Sequence, residues 1–308
     1  MTEYHFQITE EEEGERLDHC LALLLADQSR TYLQKLIKDG NVKLNGGPAR
    51  NSLRVSEGDE IDLSLPDKII PDIEPENIPI DVLYEDSDVL VVNKSKGMVV
   101  HPAPGHWSGT LVNAVLYHCG KNLSGINGVL RPGIVHRIDK DTTGSVIICK
   151  NDNAHRKIAE QLKEHTIVRR YRAIVCGRIA EDTLTVSGNI GRDPKDRKKM
   201  AVVPAPQGKP AVTHVRVLER FRDYTYIECA LETGRTHQIR VHMAHIGHPL
   251  LGDTLYASGQ KSPFSGLQGQ CLHAMILGFV HPVTGEYIET QAPLPEYFKE
   301  LLQKLRTQ

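Results

Sequence analysis

The stretch HRIDKDTTGSVIICK, residues 136–150, sets Asp139 between Arg137 and Lys140 at the entrance to an apolar run. Neighbouring positive charge favours the ionised form of a carboxylate, so the sequence predicts a depressed pKa for Asp139. An ionised Asp is a poor general acid, but it can serve as a nucleophile or as a base late in a reaction. DTTG reads as a tight turn, with Gly144 giving backbone freedom where a strand begins. The same residues also fit a plain surface turn, in which Asp139 and Asp141 make local hydrogen bonds and ion pairs. Taken alone they favour that reading.

A second stretch, LETGRTHQIRVHMAHIGHP (231–249), leaves a strand, turns through Gly234 and predicts a helix capped by Thr236 and stopped at Gly247. Arg240 falls one turn into that helix and Arg235 just before it. Two guanidiniums near a helix start make a cationic corner suited to an anion. His242, His245 and His248 recur every third residue, which spreads them around a helix, and His248 lies beyond the stop. Zinc helices use an i,i+4 histidine pair with a glutamate, and VHMAHIGH contains no glutamate. No metal site is expected.

These two clusters need a scaffold. Strands are predicted at 88–93, 145–149, 171–176, 212–218 and 224–232, and helices at 109–118, 153–164, 236–246 and 295–305. Strands and helices do not alternate strictly, so the expectation is an α+β fold with a mixed, largely antiparallel sheet and flanking helices. Residues 1–65 read as a small separate module. Leu17, Leu21, Leu24 and Leu25 recur at helical spacing, and Ser29 is a candidate cap for a second helix, RTYLQKLIKDG, closed by Gly40. NVKLNGGP and DEIDLSL then read as two short strands. The exposed side of the second helix is expected to carry Arg30, Lys35 and Lys38, followed by Lys43, Arg50 and Arg54. PDKIIPDIEPENIP (66–79) holds four prolines and reads as an extended linker to a larger domain, 80–308.

The chain has 308 residues, 40% apolar and 25% charged, with a formal net charge of −2, an ordinary globular balance. No apolar run approaches the roughly 20 residues that span a bilayer, and the acidic N-terminus lacks the pattern of a secretory signal. The six cysteines are scattered with no C-x-x-C pair, which suits a reducing compartment. A cytoplasmic monomer is expected. VRRYR (168–172) and RDPKDRKKM (192–200) are locally basic, but a basic run alone is more often a solvated face than a nucleic-acid contact.

Taken together, the motifs resemble the RluA-type family of pseudouridine synthases. HRIDKDTTG is similar to that family's catalytic-aspartate motif and TGRTHQIRVH to its C-terminal arginine motif. VVNKSKGMVVHP (91–102) and RRYRAIV (169–175) are similar to two others, in the family's order. GERLDHCLA…SRTYLQKLIKDGNVKLNG resembles an S4 RNA-binding module. GRDPKDRKKMAVV…GKPAVTH and the leading S4 module point to the subgroup that modifies large-subunit ribosomal RNA. Ile138, Thr143 and Ser95 depart from the family's usual Leu, Ser and Pro without removing a catalytic group.

The resemblance implies an isomerase that cuts the C1′–N1 bond of a uridine and rejoins C1′ to C5, with no redox cofactor, nucleotide or metal. Asp139 attacks C1′ or assists departure of uracil. Arg240 holds Asp139 ionised and oriented. Tyr171 stacks on the extruded base, with its hydroxyl placed to help move the C5 proton. Arg137 fills the gap left by the flipped base, and Arg235 contacts phosphate or supports the turn. The expected partner is RNA, with no membrane and no metal. The rival reading from the sequence is a non-catalytic RNA-binding protein using its N-terminal module alone.

Overall fold

The computed structural model describes residues 2–25, 28, 30–65, 73–103, 106–120, 122–128, 131–257, 264 and 266–308. The chain divides into two compact units, Met1–Ile70 and Pro71–Gln308.

The first unit packs two helices, α1 (Leu17–Leu24) and α2 (Arg30–Lys38), with a four-stranded sheet. The sheet is formed by β1 (Thr2–Gln7), β2 (Val42–Leu44), β3 (Gly47–Pro48) and β4 (Glu60–Leu65) in the order β1-β4-β2-β3. Leu17 and Leu21 of α1 and Leu33, Leu36 and Ile37 of α2 close over Ile61 and Leu63 of β4. β1 was not expected from the acidic N-terminal sequence; it pairs along β4 from Thr2 to Gln7. Asp18, fully buried, ties the two helices by accepting from Arg16, Arg30 and Gln34. Burial alone would raise its pKa, but those donors outweigh burial and hold it at about 2. Arg30 is therefore engaged within the unit, whereas Lys35, Lys38, Lys43 and Arg50 are exposed. Arg54 is also exposed but donates to Gly14 O. Ser29, the candidate cap, lies outside the described residues, as do residues 66–72 of the proline-rich stretch.

From Ile73 that stretch is held on the second unit. Ile73 is buried in its core, Asn113 Nδ2 donates to Glu74 O at 2.8 Å, and the Glu76 carboxylate accepts from Gly109 N–H at 3.0 Å.

The second unit is built on one ten-stranded sheet. In chain order its elements are β5 (Asp81–Glu85), β6 (Val89–Lys94), α3 (Leu111–Cys119), β7 (Thr143–Cys149), α4 (Asp152–Lys163), β8 (Val168–Cys176), β9 (Thr183–Arg192), β10 (Met200–Val203), β11 (Lys209–Arg220), β12 (Tyr224–Leu231), α5 (Gln238–His245), β13 (Leu272–Val280), β14 (Tyr287–Gln291) and α6 (Glu296–Arg306). The strand order is β10-β9-β11-β12-β8-β13-β7-β6-β5, with β14 on β13. Every pairing is antiparallel except β13 with β7, so the expected α+β architecture with a mixed, largely antiparallel sheet is the one observed.

Both faces of the central strands are covered, which is why β6 and β7 read as unbroken apolar runs. Leu90, Val92, Val146 and Ile148 face α3, and the same core continues through Tyr171, Ala173 and Ile227 to Ile239 and Met243 of α5. The alternate residues, Val89, Val91, Ile147 and Cys149, meet Ala154 and Ile158 of α4. Ile174 and Tyr226 meet Phe298, Leu301 and Leu302 of α6. Among the described residues no helix is long and apolar enough to cross a membrane.

The parallel contact between β7 and β13 is short, Thr143 beside His273 and Gly144 beside Ala274. Gly144 has φ +108°, and a Cβ there would lie 2.2 Å from Ala274 O. Only glycine fits, for backbone conformation and for space.

Candidate active site

Asp139 lies on the turn that leads into β7, where Thr142 N–H donates to Asp139 O at 3.0 Å. The turn is fastened from behind by Lys94. This residue ends the apolar run of β6 and is only 1% exposed. Its ammonium donates to Ser95 O and Met98 O at 2.8 Å and to Lys140 O at 3.0 Å. Burial pulls its pKa down to about 7, while three carbonyls match the three N–H bonds of the charged form. Lys94→Met leaves those carbonyls without a donor. It should lower stability by about 3 kcal/mol, read as a shift in the urea midpoint.

The cation paired with Asp139 is Arg240, 101 residues away, and neither of its sequence neighbours. Arg240 Nη1 donates to Asp139 Oδ2 at 2.8 Å, the separation that a direct ion pair requires. The other edge of the guanidinium is held by Asp253: Nε to Oδ2 at 2.7 Å and Nη2 to Oδ1 at 3.0 Å. Asp253 is 1% exposed and its Oδ1 also accepts from the N–H groups of Leu255 and Tyr256. The Tyr256 ring lies 5.0 Å from the guanidinium. Burial opposes the charge on Arg240, but the two carboxylates outweigh it and push its pKa up. The cationic corner expected here is thus corrected: Arg240 is neutralised inside the protein by two carboxylates. Arg235 donates from Nε to Pro210 O at 2.9 Å.

The helix start also differs from the expected Thr236 cap. The N-cap is His237, in the left-handed region at φ 57°. The preceding turn is fastened by Gln238, whose Oε1 accepts from Thr233 Oγ1 and Arg235 N–H. His237 sits between Tyr256 and Asp139. The Tyr256 oxygen accepts from Met200 N–H at 2.9 Å and is hydrogen-bonded to His237 Nδ1 at 2.8 Å. Burial lowers the His237 pKa, against the pull of Asp139, whose Oδ1 lies 3.8 Å from His237 Nε2.

Arg240, Asp139, Tyr171, Arg137 and Arg235 all line one cavity of 530 Å³. Tyr171 is 8% exposed, and burial raises its pKa. At neutral pH it offers a ring face and an O–H donor, which limits the proton-moving part expected of it. Arg137 is exposed, with Nη1 donating to His101 Nε2 at 3.3 Å. Burial holds His101 down at about 4, so it is a neutral acceptor there. His136 is structural: its Nε2 accepts from Ile147 N–H at 3.0 Å, and burial lowers its pKa to about 3.

The histidine series on α5 diverges, as helical geometry requires. His242 Nδ1 pairs with Thr213 Oγ1, and His248 Nδ1 with Cys176 O. Asp86, Asp88 and His281 converge elsewhere. There His281 Nδ1 accepts from Val283 and Thr284 N–H, so the neutral ring carries its proton on Nε2, towards Asp86 Oδ2 at 2.8 Å. A donor occupies the position where a ligand lone pair would be needed.

Sequence reasoning missed Lys94, His237, Asp253 and Tyr256. A lysine closing the apolar run VLVVNK was the available signal for Lys94.

Comparison with known proteins converges on one family. The family model for RNA pseudouridylate synthase matches residues 88–245, and the S4 domain matches residues 15–61. An uncharacterized RNA pseudouridine synthase of Bacillus subtilis, YlyB, is 51% identical over 99% of both chains. Ribosomal large subunit pseudouridine synthase D of Zymomonas mobilis is 45% identical, over 97% of this chain and 96% of that protein. Among solved structures, human RNA pseudouridylate synthase domain containing 4 superposes with a TM-score of 0.58 at 25% identity, covering 73% of this chain and 93% of that one. The fold and the matches make this chain a member of the RNA pseudouridylate synthase family, an isomerase acting on RNA. Within that family it is of the RluA type, carrying an S4 domain ahead of the synthase domain.

Proposed function

We propose that this enzyme isomerises specific uridines of large-subunit (23S) ribosomal RNA, with Asp139 as the nucleophile at C1′. The observation that carries the catalytic reading is the Arg240–Asp139 pair at 2.8 Å inside a cavity shared with Tyr171. Support for the ribosomal target comes from relatives named as large-subunit synthases along nearly the whole chain. In this reading the target base leaves the RNA stack and enters the cavity, and Arg137 at the exposed mouth takes its place. Tyr171 supports the base by its ring. Asp139 bonds to C1′ as the C1′–N1 bond breaks and its electron pair leaves with uracil; C5 of the turned base then displaces the aspartate from C1′, the C5 proton leaves and N1 takes up a proton. Asp253, His237 and Tyr256 position Arg240 and Asp139. Mapping pseudouridine in 23S RNA from cells with and without the protein tests the target: loss of no site would refute it.

No step in this scheme needs a Lewis acid or an electron carrier. Enzyme treated exhaustively with EDTA and desalted should keep its rate on prefolded RNA. A loss reversed by zinc alone would argue for metal chemistry.

The first unit is read as an RNA-contact module of a monomeric, cytoplasmic enzyme, with 1–65 as the module and the catalytic domain beginning by Ile73, so the linker expected at 66–79 is shorter than its prolines suggested. Lys35, Lys38, Lys43 and Arg50 are exposed cations available for phosphate contact. Removing residues 1–65 should weaken RNA binding yet leave slow isomerisation at high RNA concentration. The salt dependence of binding should fall by a slope of about 0.7–0.9 per lost contact, so an unchanged slope would mean that the module does not touch the backbone.

A further inference from the structure

Arg169 is a second buried arginine of the cavity, and among the described residues it has no counter-charge. It stands two residues before Tyr171 on β8, so both side chains leave the same face of the strand, side by side. Both line the cavity that holds Asp139. Arg169 is 8% exposed. Its Nη2 donates to Glu232 O at 3.2 Å, and its buried Nε has no partner. Among the described residues no carboxylate pairs with it, whereas Arg172, on the other face of the strand, is paired with Glu228, and Arg240 with two aspartates. A buried guanidinium without an anion is costly to maintain, so its retention beside a reaction cleft points to charge supplied by the reaction.

We propose that Arg169 is a further catalytic residue, whose guanidinium takes up the negative charge that uracil carries when its glycosidic bond breaks. The inference rests on the Asp139 reading. When C1′–N1 breaks, the electron pair leaves with the base and is shared among N1, O2 and O4. C5 of that anion then bonds to C1′ and displaces the Asp139 carboxylate, C5 gives up its proton and N1 gains one, so nothing is oxidised or reduced. A fixed cation in a site shielded from water stabilises this anion far more than the neutral uridine, which lowers the barrier to cleavage. A phosphate contact is disfavoured by depth: Arg169 lies against Tyr171 in the wall, while the exposed arginine at the mouth is Arg137.

The test compares single turnovers on RNA carrying uridine or 5-fluorouridine at the target position, followed by loss of the original nucleoside. Fluorine withdraws electrons and makes the departing base less dependent on an external cation. Arg169→Met should slow uridine cleavage about 10²-fold at saturating RNA and leave RNA affinity unchanged, with a smaller deficit on 5-fluorouridine. Arg169→Lys should fall between. Gly234→Ala covers the case in which Arg169→Met does not fold. A Cβ at Gly234 would lie 2.6 Å from Arg169 Nη1, so it pushes the guanidinium from its seat without removing charge, and it should reproduce part of the loss. An equal deficit on the two bases would overturn the proposal. So would a loss of affinity with the maximal rate intact, the signature of a phosphate contact. Asp139→Asn run in parallel separates the two ideas. If it is inactive while the Arg169 deficit ignores the leaving group, only the Arg169 role fails. If it still turns over, the Asp139 reading fails with it.

Discussion

Replacing Asp139 with Asn is expected to reduce isomerisation at least about 10⁴-fold, the scale seen when a nucleophile is removed, while folding and RNA affinity change little. The amide keeps the shape of the carboxylate but has no charge to offer to C1′ or to Arg240. The site tolerates the loss because Asp253 still holds the other edge of the Arg240 guanidinium with two hydrogen bonds. Tritium release from uridine-labelled ribosomal RNA and thermal melting read the two effects separately. Asp141→Asn is the control, since it lies two residues away and makes no contact with Arg240 among the described residues. Residual turnover by Asp139→Asn within tenfold of the parent enzyme, or an equal loss in Asp141→Asn, would move the chemistry elsewhere.

Arg240→Met is expected to abolish turnover and also to destabilise the fold. From the sequence this arginine serves to hold Asp139 ionised and oriented, so its loss should cost turnover far more than melting temperature. Asp253 changes that expectation. It is 1% exposed, and without Arg240 it becomes a buried charge lacking its cation. Breaking such a pair costs about 3–5 kcal/mol, or roughly 10 °C in melting temperature for a domain of this size. The double variant Arg240→Met/Asp253→Asn removes the stranded charge and should regain part of the stability but none of the activity. If both variants melt with the parent protein, the Arg240–Asp253 pair has no structural weight. If the double variant recovers turnover, Arg240 does not serve Asp139.

The contrast between Arg240 and Asp253 shows what a sequence can and cannot carry. The pairing of Asp139 with Arg240 was available because each stands in a motif, and the motifs resemble a family in which they meet. The buried strand β7 and helices α3, α4 and α6 were available because apolar periodicity is local. Asp253, His237 and Tyr256 act through contacts formed only when α5 and the segment after it fold back on one another, and nothing in their own neighbourhoods announces that. The start of α5 was misplaced for a related reason. Thr236 has the chemistry of a cap, but the Gln238 side chain fastens the turn and leaves His237 in the left-handed region. Strands β9 and β10 lie at one margin of the sheet and β14 pairs with β13; β10 is only four residues long, and β9 and β14 are broken by polar residues, so none shows the long apolar run that exposed β6 and β7. Arg30 was assigned to an outer basic surface, but its charge is spent on Asp18.

The two-residue parallel contact between β7 and β13 bears on how the enzyme comes into being. Thr143 and Gly144 meet His273 and Ala274 across 130 residues of intervening chain, and the turn bearing Asp139 is seated beside that junction. Such distant pairings are formed late and slowly, because long loops must close before their contacts reward them. A nascent chain still lacking its last quarter can build helices α3 and α4 against β6 and β7, yet it has no β13 to set the Asp139 turn. The Asp139 turn is therefore set only once β13 has joined the sheet, and a shorter product would carry the first unit without that turn in place.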